Sequence, residues 1–172
     1  MNIFKRILAI SCLILLSPTF LVASESETGM KDFDFVKGKK IYIGKAKCNQ
    51  CHGWDGAGSG KHPRAYSGPN LRDYVKDYEM LVEIIACGRP GSMMPFHDRM
   101  AYKDDRCYGL TFDDFEADEI KPKIGKTIRR DDIETVAAYV YHYIIGAGES
   151  TVEQCKEFYG KEHIHCNEHH LK

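Results

Sequence analysis

The chain has 172 residues, which bounds it to one domain or two small ones. Its 24 Lys and Arg against 25 Asp and Glu give a formal charge of −1, which excludes the basic footprint of a nucleic-acid binder. The 43% hydrophobic and 28% charged content is that of a globular protein rather than a disordered one, and seven cysteines in so short a chain demand a use.

Residues 1–23 begin with the cations Lys5 and Arg6. An apolar run from Ile7 to Leu16 follows, broken by Ser17 and Pro18, and small residues come at Val22-Ala23-Ser24. That is the layout of a secretory signal peptide, cleaved near position 23 or 24. The alternative, an uncleaved anchor, is the one reading that brings a membrane partner, but the run is interrupted and barely reaches spanning length. Removal of Lys5 and Arg6 with this segment takes the formal charge from −1 to −3. Cys12 leaves with it. Export places the mature chain in the periplasm, where disulfides persist.

Residues 24–34 form a polar, mobile leader. Phe35 to Ala46 reads as a helix, with Phe35, Gly38, Ile41 and Tyr42 at helical spacing and Gly38 admitting a second helix close by. The Gly-, Ser- and Pro-rich stretch from Gly53 to Gly68 is loop. Asp77 is an N-cap for a second helix with Leu81, Ile84 and Ile85 on one face, stopped by Gly88 and Pro90. Thr111-Phe112-Asp113-Asp114 resembles a capping box and starts a brief helix that Pro122 limits. A last strong helix starts at Asp131 or Asp132. It lines Ile133, Val136, Ala137, Val140 and Ile144 on one face and ends by Gly146 and Gly148. Residues 150–172 form a polar, His-rich tail. No alternating run predicts a sheet. The chain is therefore all-α, three to five helices and long loops, with its main domain over 35–149 and an insert at about 97–130. Its apolar core is thin for that length, and a large flat apolar cofactor would fill it.

Cys48-Asn49-Gln50-Cys51-His52 is C-x-x-C-H, the covalent haem c attachment signature. Two thiols three residues apart on one helical turn can add across the two haem vinyl groups, and the histidine that follows can ligate the iron. A redox dithiol would sit in a βαβ pattern, which is absent, and a zinc site would want a second close Cys/His pair, which Cys87, Cys107, Cys155 and Cys166 do not supply.

Around this motif the sequence resembles the class I cytochrome c family. Gly38-Lys39-Lys40-Ile41-Tyr42 precedes the motif much as the family's first helix does. Cys51-His52-Gly53 with Gly56 and Gly58, then Gly68-Pro69-Asn70-Leu71, then Met94-Pro95, are similar to its C-H-G-x-x-G-x-G, G-P-x-L and distal Met-Pro segments. The resemblance implies the class I fold around one covalent haem c. It implies thioether links at Cys48 and Cys51, His52 as proximal ligand, the Pro69 carbonyl accepting its other ring N–H, and Met94 as distal ligand. Met93 is adjacent and is taken as packing; His97 is the alternative that would give bis-His iron. The family pattern also implies that helix 35–46 crosses helix 132–145, with Gly38 and Tyr42 meeting Ala138 or Tyr141.

His/Met iron is six-coordinate, with no open position, and a thioether ligand raises the potential relative to bis-His. The reading is a one-electron carrier, not an enzyme. The alternatives are a cytochrome subunit of a dehydrogenase complex and a ligand-binding haem protein. A weaker likeness, in Cys87-Gly88-Arg89-Pro90-Gly91, Met94-Pro95 and Cys107-Tyr108-Gly109, is to cytochromes that accompany quinoprotein alcohol dehydrogenases. It implies a periplasmic donor dehydrogenase, PQQ-dependent and acting on methanol or another alcohol, and an oxidase or another cytochrome as acceptor. Asp113, Asp114, Glu116, Asp118 and Glu119 form either a solvated helix face or a steering surface for a basic partner. Loop-closure entropy favours the short pairings Cys87–Cys107, bracketing Met94, and Cys155–Cys166. Arg89, Tyr102, Arg106 and Tyr108 bond either haem propionates or the insert's own backbone. His163, His165, His169 and His170 make either a metal site or a solvated tail.

Overall fold

The computed structural model describes residues 33–58, 66–74, 77–160 and 166. The signal segment 1–23, most of the leader and the four tail histidines lie outside the described residues.

Helix α1 spans Phe35–Lys40, opened by the Asp34 carboxylate, which accepts the Lys37 N–H at 2.9 Å. The predicted single helix to Ala46 does not continue as α. Over Ile41–Lys45 the bonding changes to π, and the Ala46 N–H reaches back to the Ile41 carbonyl at 2.8 Å. The widened turn buries both Ile41 and Tyr42. It leads into Lys47, whose φ of 59° turns the chain into the short helix α2, Asn49–His52. Single-turn π segments of this kind recur beside functional sites.

Helix α3, Tyr78–Cys87, has the predicted cap: Asp77 accepts the Met80 N–H at 2.9 Å, and Gly88 with φ 66° ends it. Leu81, Val82, Ile85, Ala86 and Cys87 are buried along it, while Ile84 is only half-buried. Helix α4 spans Arg130–Tyr143 and packs on both α1 and α3. Its predicted stripe, Ile133, Val136, Ala137, Val140 and Ile144, is buried throughout. The α1–α4 crossing forms, with a corrected register. A methyl group on Gly38 would lie 2.6 Å from Tyr139 Cβ and 2.8 Å from the Thr135 carbonyl, and the Tyr42 and Tyr139 rings sit 5.8 Å apart. Thr135 and Tyr139, one turn apart, therefore take the places expected of Ala138 and Tyr141. Ala138 is buried, and Tyr141 meets Tyr78 edge-on at 6.0 Å. An apolar stripe fixes which side of a helix is inside, but not which residue of a wide stripe faces a given neighbour.

The insert holds a single 3-10 turn, Phe112–Asp114, with the reciprocal Thr111–Asp114 cap predicted for it. It is organised instead by an aromatic cluster in which Tyr102 lies 5.8 Å from Phe96 and 5.5 Å from both Phe112 and Phe115. The segment before α4 runs beside the one after α3, through the Phe96–Ile124 parallel bridge and the Gly91 N–H to Ile120 carbonyl bond of 3.3 Å. Both expected disulfides, Cys87–Cys107 and Cys155–Cys166, are present. Among the described residues there are no strands beyond two isolated bridges. The acidic run is exposed but is no helix face: Asp114 and Glu119 cap their own turns.

Residues 150–160 are not an unstructured tail. Helix α5, Val152–Tyr159, is capped reciprocally by Thr151 and Gln154 and buries Cys155. Phe158 and Tyr159 lie against Trp54 at 5.3 and 6.0 Å, so the C-terminal helix packs on the residue two past His52.

Candidate haem-attachment site

Six cysteines lie among the described residues. Four are in disulfides; Cys48 and Cys51 are the two that are not. Burial pushes the Cys48 thiol up to about 12 and raises Cys51 as well, so both are neutral S–H groups at physiological pH. No cluster of three or more His, Cys, Asp or Glu suited to a bare metal ion occurs among the described residues.

His52, at the end of α2, is buried. Its Nδ1 lies 3.1 Å from the Pro69 carbonyl oxygen. A carbonyl only accepts, so Nδ1 carries the proton and Nε2 keeps its lone pair. Burial holds the imidazole below its ordinary pKa, against the opposing Pro69 bond, and keeps it in the neutral form that ligates metals. The loop comes this close because position 68 is glycine: a Cβ there would lie 2.6 Å from His52 Nδ1 and 2.7 Å from Cε1. Backbone bonds tie the turn to its loop, from the Gly68 N–H to the Cys51 carbonyl at 2.8 Å and from the Gly58 N–H to the His52 carbonyl at 2.9 Å. The buried Tyr42 hydroxyl donates to the Gly53 carbonyl at 2.8 Å, linking the π turn to the same motif.

Met94 lies beyond α3, on another wall of the core. It packs against the apolar cluster that also receives Cys48, Leu71 and Tyr74, whereas Met93 is 44% exposed. Met94 is seated by backbone: the Arg89 N–H donates to its carbonyl at 3.2 Å, and its own N–H donates to Ser92 Oγ at 3.2 Å. His97 is 5% exposed, and its Nδ1 donates to the Lys126 carbonyl at 2.7 Å, pinning the insert to the end of α3. Of Arg89, Tyr102, Arg106 and Tyr108, whose partners the sequence left open, both tyrosines bond backbone outside the insert, Tyr102 donating to the Cys87 carbonyl and Tyr108 to the Gly88 carbonyl. Arg106 pairs with Asp104 and Asp98.

The structure thus brings Cys51, His52, Gly68 and Pro69 into one contact group, with Cys48 one turn away. It places Met94 separately on the shared core. A cavity of about 1250 Å³ lies elsewhere, lined by Glu79, Glu83, Arg99 and Arg129 among others and by none of Cys48, Cys51, His52, Pro69 or Met94. Two unpaired thiols and an oriented imidazole nitrogen are donors that would suit haem c.

Two supporting roles escaped the sequence reading. Arg72, 6% exposed, donates to the carbonyls of Asp55, Ala147, Gly148 and Glu149 and to Gln154 Oε1, tying the loop after His52 to the chain leading into α5. Asp132, 1% exposed, pairs with Lys37 at 2.7 Å and Lys45 at 2.5 Å, locking α4 to both halves of the first helix. Neither lies on a periodic stripe. The one available signal was the glycine pair 146 and 148, whose positive φ values shape the loop whose carbonyls Arg72 gathers.

The family model described as Cytochrome c matches residues 35–143. No curated protein matches the chain. Solved structures among those that match are distantly similar. The c-type cytochrome SorU of Sinorhizobium meliloti is 20% identical, with 65% of this chain and 91% of that one covered and a TM-score of 0.37. A variant of Arabidopsis thaliana cytochrome c6A is also 20% identical, with coverages of 63% and 91% and a TM-score of 0.36. A chain of the reducing HAO-like protein complex of Kuenenia stuttgartiensis is 17% identical, with coverages of 64% and 43% and a TM-score of 0.39. Likenesses this remote carry no weight in the assignment, which rests on the family match across more than half of the chain. By that match, and with a helical fold around a tethered C-x-x-C-H turn, the chain belongs to the cytochrome c family, whose members carry covalently bound haem c and transfer electrons.

Proposed function

We propose that this chain is a monohaem one-electron carrier with His52 and Met94 as axial ligands, exported to the periplasm through residues 1–23, and not itself an enzyme. The observation that carries the reading is the pairing of the only two unbridged described cysteines with an imidazole oriented by Pro69. Haem c, when bound, supplies reversible one-electron chemistry at its iron. Cys48 and Cys51 would hold it by thioethers, each thiol giving its sulfur to one vinyl carbon and its hydrogen to the other, so attachment needs no external oxidant. His52 offers Nε2 because Nδ1 is committed to Pro69. Met94 offers its thioether from a backbone seat, and the burial of Met94 relative to Met93 supports the choice between them. The electron donor on this reading is a periplasmic dehydrogenase, PQQ-dependent and acting on methanol or another alcohol, and the acceptor is an oxidase or a second cytochrome. No helix among the described residues is long and apolar enough to cross a membrane.

The test uses exported full-length protein. Intact mass and a pyridine haemochrome assay should show one haem per chain and loss of the signal segment. The ferric protein should carry the weak far-red band of methionine-sulfur ligation. Met94→Ala should abolish that band and lower the potential, while Met93→Ala should leave both in place. A Met94→Ala protein with the parent spectrum overturns the distal assignment.

A further inference from the structure

We propose that Tyr102 and Tyr108 are positioning residues for the distal ligand: their hydroxyls, donated to the Cys87 and Gly88 carbonyls, fix the backbone on which Met94 is seated. The inference rests on the reading of Met94 as that ligand. Gly88 is the seat. A Cβ there would lie 2.7 Å from the Met94 carbonyl oxygen, the Phe96 nitrogen and the Pro95 carbonyl carbon, so residues 94–96 lie directly on it. A helix end leaves its last carbonyls without intrahelical partners. Here the Tyr102 hydroxyl takes Cys87 O at 2.7 Å and the Tyr108 hydroxyl takes Gly88 O at 2.8 Å. Between the two tyrosines Cys107 is bonded to Cys87, so hydroxyl, disulfide and hydroxyl grip consecutive residues.

An independent observation points the same way. Only three non-glycine residues among those described have positive φ: Lys47, Tyr102 and Tyr108, the tyrosines at 59° and 58°. Left-handed backbone is costly for bulky side chains and persists where surrounding structure over-determines it. At both tyrosines the unusual backbone is paired with a hydroxyl bonded to an α3 terminal carbonyl. Burial raises both phenols, Tyr102 to about 12, so both remain donors through the physiological range.

Exogenous imidazole displaces a methionine ligand only when its loop opens, so its apparent affinity reads the opening equilibrium. In the ferric holoprotein, Tyr102→Phe and Tyr108→Phe each keep the ring and remove one bond, and each should raise imidazole affinity about fivefold, with a larger rise in the double variant. Tyr143→Phe, on a half-exposed ring outside this contact set, should leave it unchanged. Guanidinium unfolding measured in parallel separates local loosening from global weakening. Imidazole affinity equal to the parent in the double variant, with the far-red band intact, overturns the proposal alone. Absence of that band from the parent overturns the Met94 assignment and this proposal with it.

Discussion

Asp132 is a buried carboxylate held between two lysines that keep about four-tenths of their side-chain surface in water. Hydrogen bonds from Lys37 and Lys45 hold its pKa at about 2. A carboxylate depressed below its unfolded value of roughly 4 contributes stability that is complete above that pH and is lost as pH falls toward 2. Asp132→Asn should therefore destabilise the protein by about 2 kcal/mol at pH 7, less than breaking a fully buried pair because both lysines can resolvate, and by less near pH 2. Denaturant midpoints at the two pH values check this. Gly68 makes the complementary case at the site itself. Gly68→Ala drives a methyl into the His52 ring, displaces the Pro69 carbonyl and should lower the ratio of Soret to protein absorbance in exported protein. Gly44→Ala, whose Cβ would meet nothing within 4 Å, should leave that ratio unchanged. At this scale the motif residues were legible because covalent chemistry dictates their type and spacing. Asp132 and Arg72 were not, because their partners lie 75 or more residues away in sequence for most of their bonds, and a lone charge carries no local signal.

Helices α3 and α4 were legible to within a residue or two, since each has a cap or acidic first turn, a stripe and a stop. The π turn was not, because its apolar spacing is close to that of an α-helix, and the choice between them is settled by packing on α4. Helix α5 hid behind polar and histidine-rich composition, although Thr151-x-x-Gln154 is a capping-box signal that was present to be read. Replacing Thr151 and Gln154 together by alanine should cost about 1 kcal/mol and hasten proteolysis after Glu149, since Gln154 also accepts from Arg72. The insert has almost no regular structure, and its dependence on the Cys87–Cys107 link should be correspondingly large. A double Cys87→Ser, Cys107→Ser variant loses constraint on a loop of sequence separation 20 and should be destabilised by about 3 kcal/mol in thermal unfolding.

Taken whole, the molecule carries little net charge, and its exposed acidic run from Asp113 to Glu119 is followed at once by exposed Lys121, Lys123 and Lys126. The two flanks oppose each other. Steering of a basic redox partner should therefore be weak, and its electron-transfer rate should fall less than about tenfold between low and physiological ionic strength, as stopped-flow measurement would show. A rate independent of salt would remove the acidic run from partner recognition.

The cysteines also impose an order of assembly. On the proposed haem attachment, each described cysteine belongs with its nearest neighbour along the chain: 48 with 51, 87 with 107, 155 with 166. Random oxidation of six thiols to completion allows fifteen pairings, of which one would match this arrangement and would still block the first couple. A polypeptide emerging from its amino end presents each couple complete before the next appears, so vectorial delivery removes the mispaired choices. Residues 24–172 made without haem, then reduced, denatured and reoxidised in bulk, should consequently yield scrambled isomers by peptide mapping, where protein exported from the full-length chain should yield one.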